Sequence, residues 1–152
     1  MVKKLDDSDF PPLIDHIGWQ LWRVARRWKA EFDAEMRRHG YGFMAEARGA
    51  VIGQLRPDGA PQAVLASALG ISKQAVQQLV DELEQEGVVA RTADPADARA
   101  KLVVLTARGA EAIRAGNRVK REIEARYRKR LGEPEFAVLN AALARLVEDE
   151  TG

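Results

Sequence analysis

No cysteine occurs among the 152 residues of the sequence. That excludes disulfides and thiol redox sensing, and it fits a reducing compartment. Histidine is almost as scarce. His16 and His39 are the only two and lie far apart, so a zinc site would have to be built mainly from carboxylates, an uncommon ligand set. No metal and no cofactor is expected. No apolar run approaches the roughly 18 residues that a membrane-spanning helix needs. Nor is there a charged-then-apolar leader with a cleavage site. The expected location is the cytoplasm, with no membrane partner. An excess of one charge is lacking too: 24 basic against 23 acidic residues leave a net charge of +1. Any nucleic-acid contact must therefore rest on local patches rather than on a global basic field. Catalytic signatures are also missing, with no Ser/His/Asp ordering, metal-ligand spacing or glycine-rich phosphate loop. Ser8 and Ser72 are the only other reason to consider a helical hydrolase, and Ser72 is better explained as a helix cap.

What is present is 46% hydrophobic residues, enough for a chain of this size to bury roughly 70% of its extended surface. The most informative stretch runs from Leu65 to Thr106, LASALGISKQAVQQLVDELEQEGVVARTADPADARAKLVVLT. Its periodicity predicts a short helix, a tight turn at Leu69-Gly70-Ile71-Ser72, and a second helix capped by Ser72. Gly70 suits the turn because it takes a left-handed conformation at little steric cost. In the second helix Val76, Leu79, Val80 and Leu83 fall at i, i+3, i+4 and i+7, one apolar stripe that faces a core. The opposite face carries Gln74, Gln78 and Asp81, with Lys73 and Gln77 on its flanks. A helix start with Lys and three Gln suits a DNA major groove, since a Gln amide pairs with adenine and Lys reaches guanine or phosphate. An ordinary amphipathic surface helix is the plainer alternative.

The segment after that helix strengthens the DNA reading. Glu86-Gly87 closes the helix, and Val88–Arg91 and Lys101–Leu105 read as strands around a loop from Thr92 to Ala100. A strand-loop-strand beside a reading helix is a wing. Within the loop, Asp94-Pro95 favours a turn. Asp97 and Arg99 are spaced so that the carboxylate can hold the guanidinium for entry into a narrow, negative minor groove.

These two motifs, LASALGISKQAVQQLVDELEQEGVV and DPADARAKLVVLT, resemble those of the MarR family of bacterial transcriptional regulators. Asp97, Arg99, Leu105 and Thr106 match the wing pattern, and Ala98 stands where that family often carries a second Arg. The resemblance implies a mainly α fold with a small two- or three-stranded β wing, a winged helix-turn-helix with a helical dimerisation region. It also implies a homodimer, double-stranded DNA as partner, and an effector pocket between the dimer helices and the reading lobe, often for phenolic or aromatic acids. The residues expected to contact DNA are Ser72, Lys73, Gln74, Gln77, Gln78, Arg91, Asp97, Arg99 and Lys101. Those expected near an effector are His16, Trp19, Arg23 and Arg48, with Arg or His meeting a carboxylate and Trp the ring. Packing of Trp19 in the dimer seam is the alternative.

The flanking segments read as helices. Residues 1–12 form a charged arm ending in Pro11-Pro12. From Leu13 a stripe of Ile14, Ile17, Leu21, Val24 and Trp28 predicts a helix ending near Arg38-His39-Gly40. Trp19, Trp22 and Arg26 lie beside that stripe, and three tryptophans on one helix need a large surface to cover them. Phe43 to Leu55 reads as a shorter helix with Met44, Ala47, Val51 and Leu55 inward, and Pro61 opens the first helix of the reading motif. Thr106 caps a long helix with nine basic residues against three acids, either a solvated face or a second nucleic-acid surface. The last helix repeats an apolar stripe at Phe136, Leu139, Leu143 and Leu146. Its acidic end, Glu148-Asp149-Glu150, is expected near basic residues of the preceding helix. The expected organisation is one compact domain: residues 1–40 as arm and first dimerisation helix, 41–106 as the DNA-binding lobe, and 107–152 as the C-terminal dimerisation helices. The function expected is a ligand-responsive regulator, a repressor, on a pseudo-palindromic operator. The alternatives are a winged-helix protein-interaction module without DNA binding and, behind it, a helical enzyme.

Overall fold

A computed structural model describes residues 2, 4, 6–45 and 47–148 of the chain. Among the described residues, six helices and a three-stranded sheet follow one another as α1 (Ile17–Arg38), a 3-10 turn (Gly42–Ala45), α2 (Ala47–Gln54), β1 (Ala60–Pro61), α3 (Gln62–Leu69), α4 (Lys73–Gln85), β2 (Val89–Ala93), β3 (Lys101–Leu105), α5 (Ala107–Leu131) and α6 (Glu133–Glu148). The sheet is antiparallel in the order β1-β3-β2. Pro61 sits on its short edge strand, where a missing N–H costs no ladder bond. No helix among the described residues is long and apolar enough to cross a membrane.

The reading lobe forms around the stripe of α4. Val76, Val80 and Leu83 are fully buried and pack with Val51 and Ile52 of α2, Leu65 and Ala66 of α3, Val88 just before β2, and Val89 and Val103 of the sheet. Leu79 packs at the edge of that core. Gly70 adopts φ +63 and ends α3. The Ser72 hydroxyl then accepts the Ala75 amide at 3.1 Å, capping α4. A second core lies between α1 and α5, where Phe32 and Met36 meet Ala115, Val119 and Ile123. Tyr41 and Met44 pack against both cores, and the first turns of α5 reach into the lobe through Ala112.

The entrance to α5 is unusually tight. The Thr106 hydroxyl shares its one O–H between the Gly87 and Val88 carbonyls (2.7 and 2.9 Å) and accepts the Gly109 amide (3.2 Å). A Cβ on Gly109 would lie 2.3 Å from the Val88 carbonyl oxygen and 2.6 Å from Leu105 Cδ1. Helix propensity alone would favour Gly109→Ala by about 0.8–1 kcal/mol. Because backbone is the obstacle, the opposite sign is expected, a loss of about 1–3 kcal/mol. Urea denaturation checks it.

Three sequence expectations are revised. The first helix begins at Ile17, not Leu13. His16 is extended and makes no side-chain cap bond, and Leu13 and Ile14 are exposed, so no packing within the chain holds the preceding turn in a helix. The segment from Phe43 to Leu55 is not one helix but a 3-10 turn followed by α2, with Glu46 between them outside the described residues. Phe43 and Ala45 are both buried, a two-residue spacing that no continuous α-helix brings to one face. The inward pair of α2 is Val51 and Ile52, while Ala47 is exposed. The loop between β2 and β3 is shorter than expected, since β2 continues through Ala93. Asp149 and Glu150 of the acidic end lie outside the described residues.

Candidate nucleic-acid interface

The first two turns of α4 present Lys73, Gln74, Gln77 and Gln78 to solvent, on the side opposite the buried stripe. Ser72 caps this end, and the open amides of a helix N-terminus attract phosphate oxygens. Gln74 makes no hydrogen bond to another described side chain. Gln78 donates to Glu82 at a long 3.3 Å. Gln77 is held firmly, accepting from Gln62 (2.8 Å) and donating to Asp81 (3.0 Å).

The far half of α4 and its C-cap are acidic, with Asp81, Glu82 and Glu84 in the helix and Glu86 at the cap. Arginines from other elements lie over these carboxylates. Arg91 of β2 donates to Asp81 and Glu84, each at 2.6 Å, and its side chain is only 14% exposed. The Arg91 hydrogen bond, followed by that from Gln77, holds the Asp81 carboxyl below its ordinary range. Arg48 of α2 approaches Glu82 (3.8 Å) and Glu86 (3.9 Å). Arg91 therefore faces the reading helix rather than open solvent.

The wing tip is a compact loop tied by its own polar groups. The Asp94 amide donates to the Ala100 carbonyl (3.0 Å) and the Asp97 amide to the Asp94 carbonyl (3.2 Å). Each aspartate also accepts the amide two residues on, Ala96 for Asp94 (2.8 Å) and Arg99 for Asp97 (3.0 Å). The expected grip of Asp97 on the Arg99 guanidinium is thus replaced by a grip on the Arg99 main chain. The reason is local: the loop turns at Asp94–Asp97 instead of running extended, so the two side chains are not set side by side. Arg99 and Lys101 remain exposed at the hairpin.

His16, Trp19 and Arg23 lie on the exposed beginning of α1 and the residue before it, whereas Arg48 sits on α2 against α4. Trp19 stacks on Trp22 (4.9 Å), with Arg26 over the Trp22 ring (5.1 Å). None of the four lines the cavity of about 420 Å³ between α1, α2 and α5. Its walls include Trp28, Phe32, Met44 and Ile113, with Lys29 and Lys120 among them. Sequence reasoning missed this cavity, and it missed Gln62. The cavity forms only once helices remote in sequence pack together, and Gln62 is 15 residues from Gln77 and 29 from Arg91, beyond any helical or strand spacing. Among the described residues no cluster of three or more His, Cys, Asp or Glu is placed to hold a metal ion.

A capped helix after a tight turn, flanked by an antiparallel hairpin and a third strand, defines a winged helix-turn-helix protein. Residues 50–100 match the model of the MarR family. A probable transcriptional regulator from Pseudomonas aeruginosa is 30% identical, with a TM-score of 0.63 over 87% of this chain and 97% of its own. MepR, a transcription regulator of the Staphylococcus aureus multidrug efflux pump MepA, gives a TM-score of 0.74 at 21% identity over 90% of this chain and 100% of its own. The S. aureus MepR-DNA complex gives 0.66 at 22% identity over 90% and 99%. No curated protein sequence matches the chain. The chain belongs to the MarR family, whose members are transcriptional regulators and not enzymes.

Proposed function

We propose that this chain is a DNA-binding repressor that works as a homodimer on a pseudo-palindromic operator and changes its affinity when a small ligand binds. The observation that carries the reading is the exposed first half of α4, capped at Ser72 and bearing Lys73, Gln74, Gln77 and Gln78, beside a hairpin tipped by Arg99. Such a helix enters the major groove while the wing reaches the adjacent backbone or minor groove. MepR, a neighbour in fold, has been solved on DNA. A two-fold dimer sets its two reading helices about 34 Å apart, one turn of DNA. A gel shift against the DNA upstream of the protein's own coding sequence tests this, and a retarded band holding two chains per duplex is the expected result. No shift at any salt would favour a protein-interaction module instead.

Within the interface, Ser72, Lys73, Gln74, Gln77 and Gln78 serve the major groove, and Arg99 and Lys101 serve phosphates or the minor groove. Arg91 and Asp97 act indirectly, the first by neutralising α4 and the second by shaping the wing. Arg99→Ala should weaken binding to all sequences and lower the salt slope by about one unit. Asp97→Asn keeps an oxygen to accept the Arg99 amide and should cost less than Arg99→Ala. Fluorescence anisotropy at several salt concentrations checks both.

The ligand site best supported is the cavity beside Trp28 and Phe32, whose rings stack at 5.5 Å. Its apolar walls with a few cationic groups suit an aromatic acid. His16, Trp19 and Arg23 would join it only through a second copy of the chain. Trp28→Phe should abolish a saturable fluorescence response to aromatic acids if the cavity is used, and Trp19→Phe should abolish it if the start of α1 is used.

A further inference from the structure

Four side chains between α3, α4 and β2 close into a ring in which two hydrogen-bonded paths, one direct and one through two amides, both run from Arg91 as donor to Asp81 as acceptor. Arg91 Nε donates to Gln62 Oε1 (2.9 Å), Gln62 Nε2 to Gln77 Oε1 (2.8 Å), and Gln77 Nε2 to Asp81 Oδ1 (3.0 Å). The circuit closes as a terminal guanidinium nitrogen of Arg91 donates to the same Asp81 oxygen (2.6 Å). A guanidinium has no acceptor and an ionised carboxylate has no donor, so the two charged members fix the orientation of both amides between them. A flipped Gln62 would set its NH2 against the Arg91 N–H. A flipped Gln77 would aim its carbonyl at the Asp81 carboxylate. The ring is also anchored, because Glu84 accepts from the Arg91 guanidinium (2.6 Å) and from the Arg91 amide (3.2 Å). Asp81 is held in its ionised, accepting form by Arg91 and Gln77.

From this ring we infer that Gln62 is a specificity-determining positioning residue: acting through Gln77, it fixes which end of that exposed amide faces DNA as donor and which as acceptor. The inference rests on the DNA-reading function proposed above. A glutamine amide with no partner rotates to suit whatever base edge it meets. Held by Gln62 and Asp81, the Gln77 amide keeps its spare N–H and its spare carbonyl lone pair in set places. Base edges in the major groove differ in the order of donors and acceptors, adenine offering one of each and guanine two acceptors. A fixed amide therefore accepts fewer of them.

Gln62→Glu separates the parts. The new carboxylate still accepts from Arg91 but has no N–H for Gln77, so the anchor stays and the reading amide keeps only its bond to Asp81, about which it can turn. Binding sites are selected from a randomised duplex library by the wild type, Gln62→Glu, Gln77→Ala and the double variant, and affinities are measured for the four base pairs at each selected position. In Gln62→Glu, preference at one base pair per half-site should fall about 5-fold or more, with the other positions unchanged. The double variant should match Gln77→Ala, since both changes act on one amide. The added carboxylate weakens all sequences together, so it drops out of the preference. In the free protein, the Gln77 side-chain amide resonances should shift in Gln62→Glu, a readout that needs no DNA. An unchanged preference in Gln62→Glu, a double variant flatter than Gln77→Ala, or unshifted Gln77 resonances would overturn the role of Gln62. A wild type that selects no sequence would overturn the DNA-reading function itself.

Discussion

Leu139→Asp combined with Leu143→Asp should leave the protein folded but monomeric. Helix α6 has no residue buried within one chain, and Val138, Leu139, Leu143, Leu146 and Val147 are all exposed. The start of α1 shows the same pattern, with Ile17, Trp19, Leu21, Trp22 and Val24 open to solvent. Apolar surface on this scale at two helices is what a subunit interface leaves behind when one copy is viewed alone. Burying the part of each leucine still exposed in one chain contributes about 1 kcal/mol. Replacing it with an unpaired carboxylate removes that and adds a desolvation cost of several kcal/mol more. Four such carboxylates per dimer should raise the dissociation constant by more than about 1,000-fold. In the monomer the two residues are 42% and 37% exposed, enough for a carboxylate to reach water, so helical circular dichroism should persist. Light scattering at micromolar concentration checks both halves, with the mass of two chains for the wild type and of one for the variant.

Gln74→Ala should give the largest loss in sequence reading. Gln74 is exposed on the first turn of α4 and, unlike Gln77 and Gln78, is not engaged with another described side chain, so its whole amide is available to a base edge. A bidentate contact of this kind is worth about 1–3 kcal/mol, which corresponds to about 5- to 150-fold in operator affinity. Gln78→Ala should fall in the same range but nearer its lower end, since its amide also bonds Glu82. Random duplex should bind both variants as it binds the wild type. Equal losses on operator and random DNA would place these residues on the backbone rather than on the bases.

The reading lobe was legible in the sequence because its signals are local. The period of Val76, Leu79, Val80 and Leu83, the turn at Gly70 and the cap at Ser72 each arise within a few residues of one another. Leu139 and Leu143 were legible for the same reason, as an apolar stripe with nothing in the chain to spend it on. The misses required tertiary information. The helix start at Ile17 depends on what Leu13 and Ile14 fail to touch. The 3-10 turn before α2 depends on Phe43 packing in one core while Met44 packs against both. Arg91 counts among the expected DNA contacts from sequence, as a basic residue beside the reading helix. Its approach to Asp81 and Glu84 follows from strand β2 lying across α4, which residue spacing does not encode. Asp97 and Arg99 show the reverse error, a pairing inferred from an extended loop that in fact turns.

The central claim is sequence-specific DNA binding by a dimer through Lys73, the α4 glutamines and the Arg99 wing. Its most direct test is one anisotropy experiment, with the upstream duplex and a scrambled duplex titrated across a range of salt concentrations. Two copies that each place Lys73, Arg99 and Lys101 at phosphates make about six charge contacts, so the logarithm of the binding constant should fall against that of salt with a slope of about −5. The upstream duplex should bind on the order of 1,000-fold or more tightly than the scrambled one. Equal affinity for the two duplexes, or no saturable binding to either at low salt, would contradict the claim.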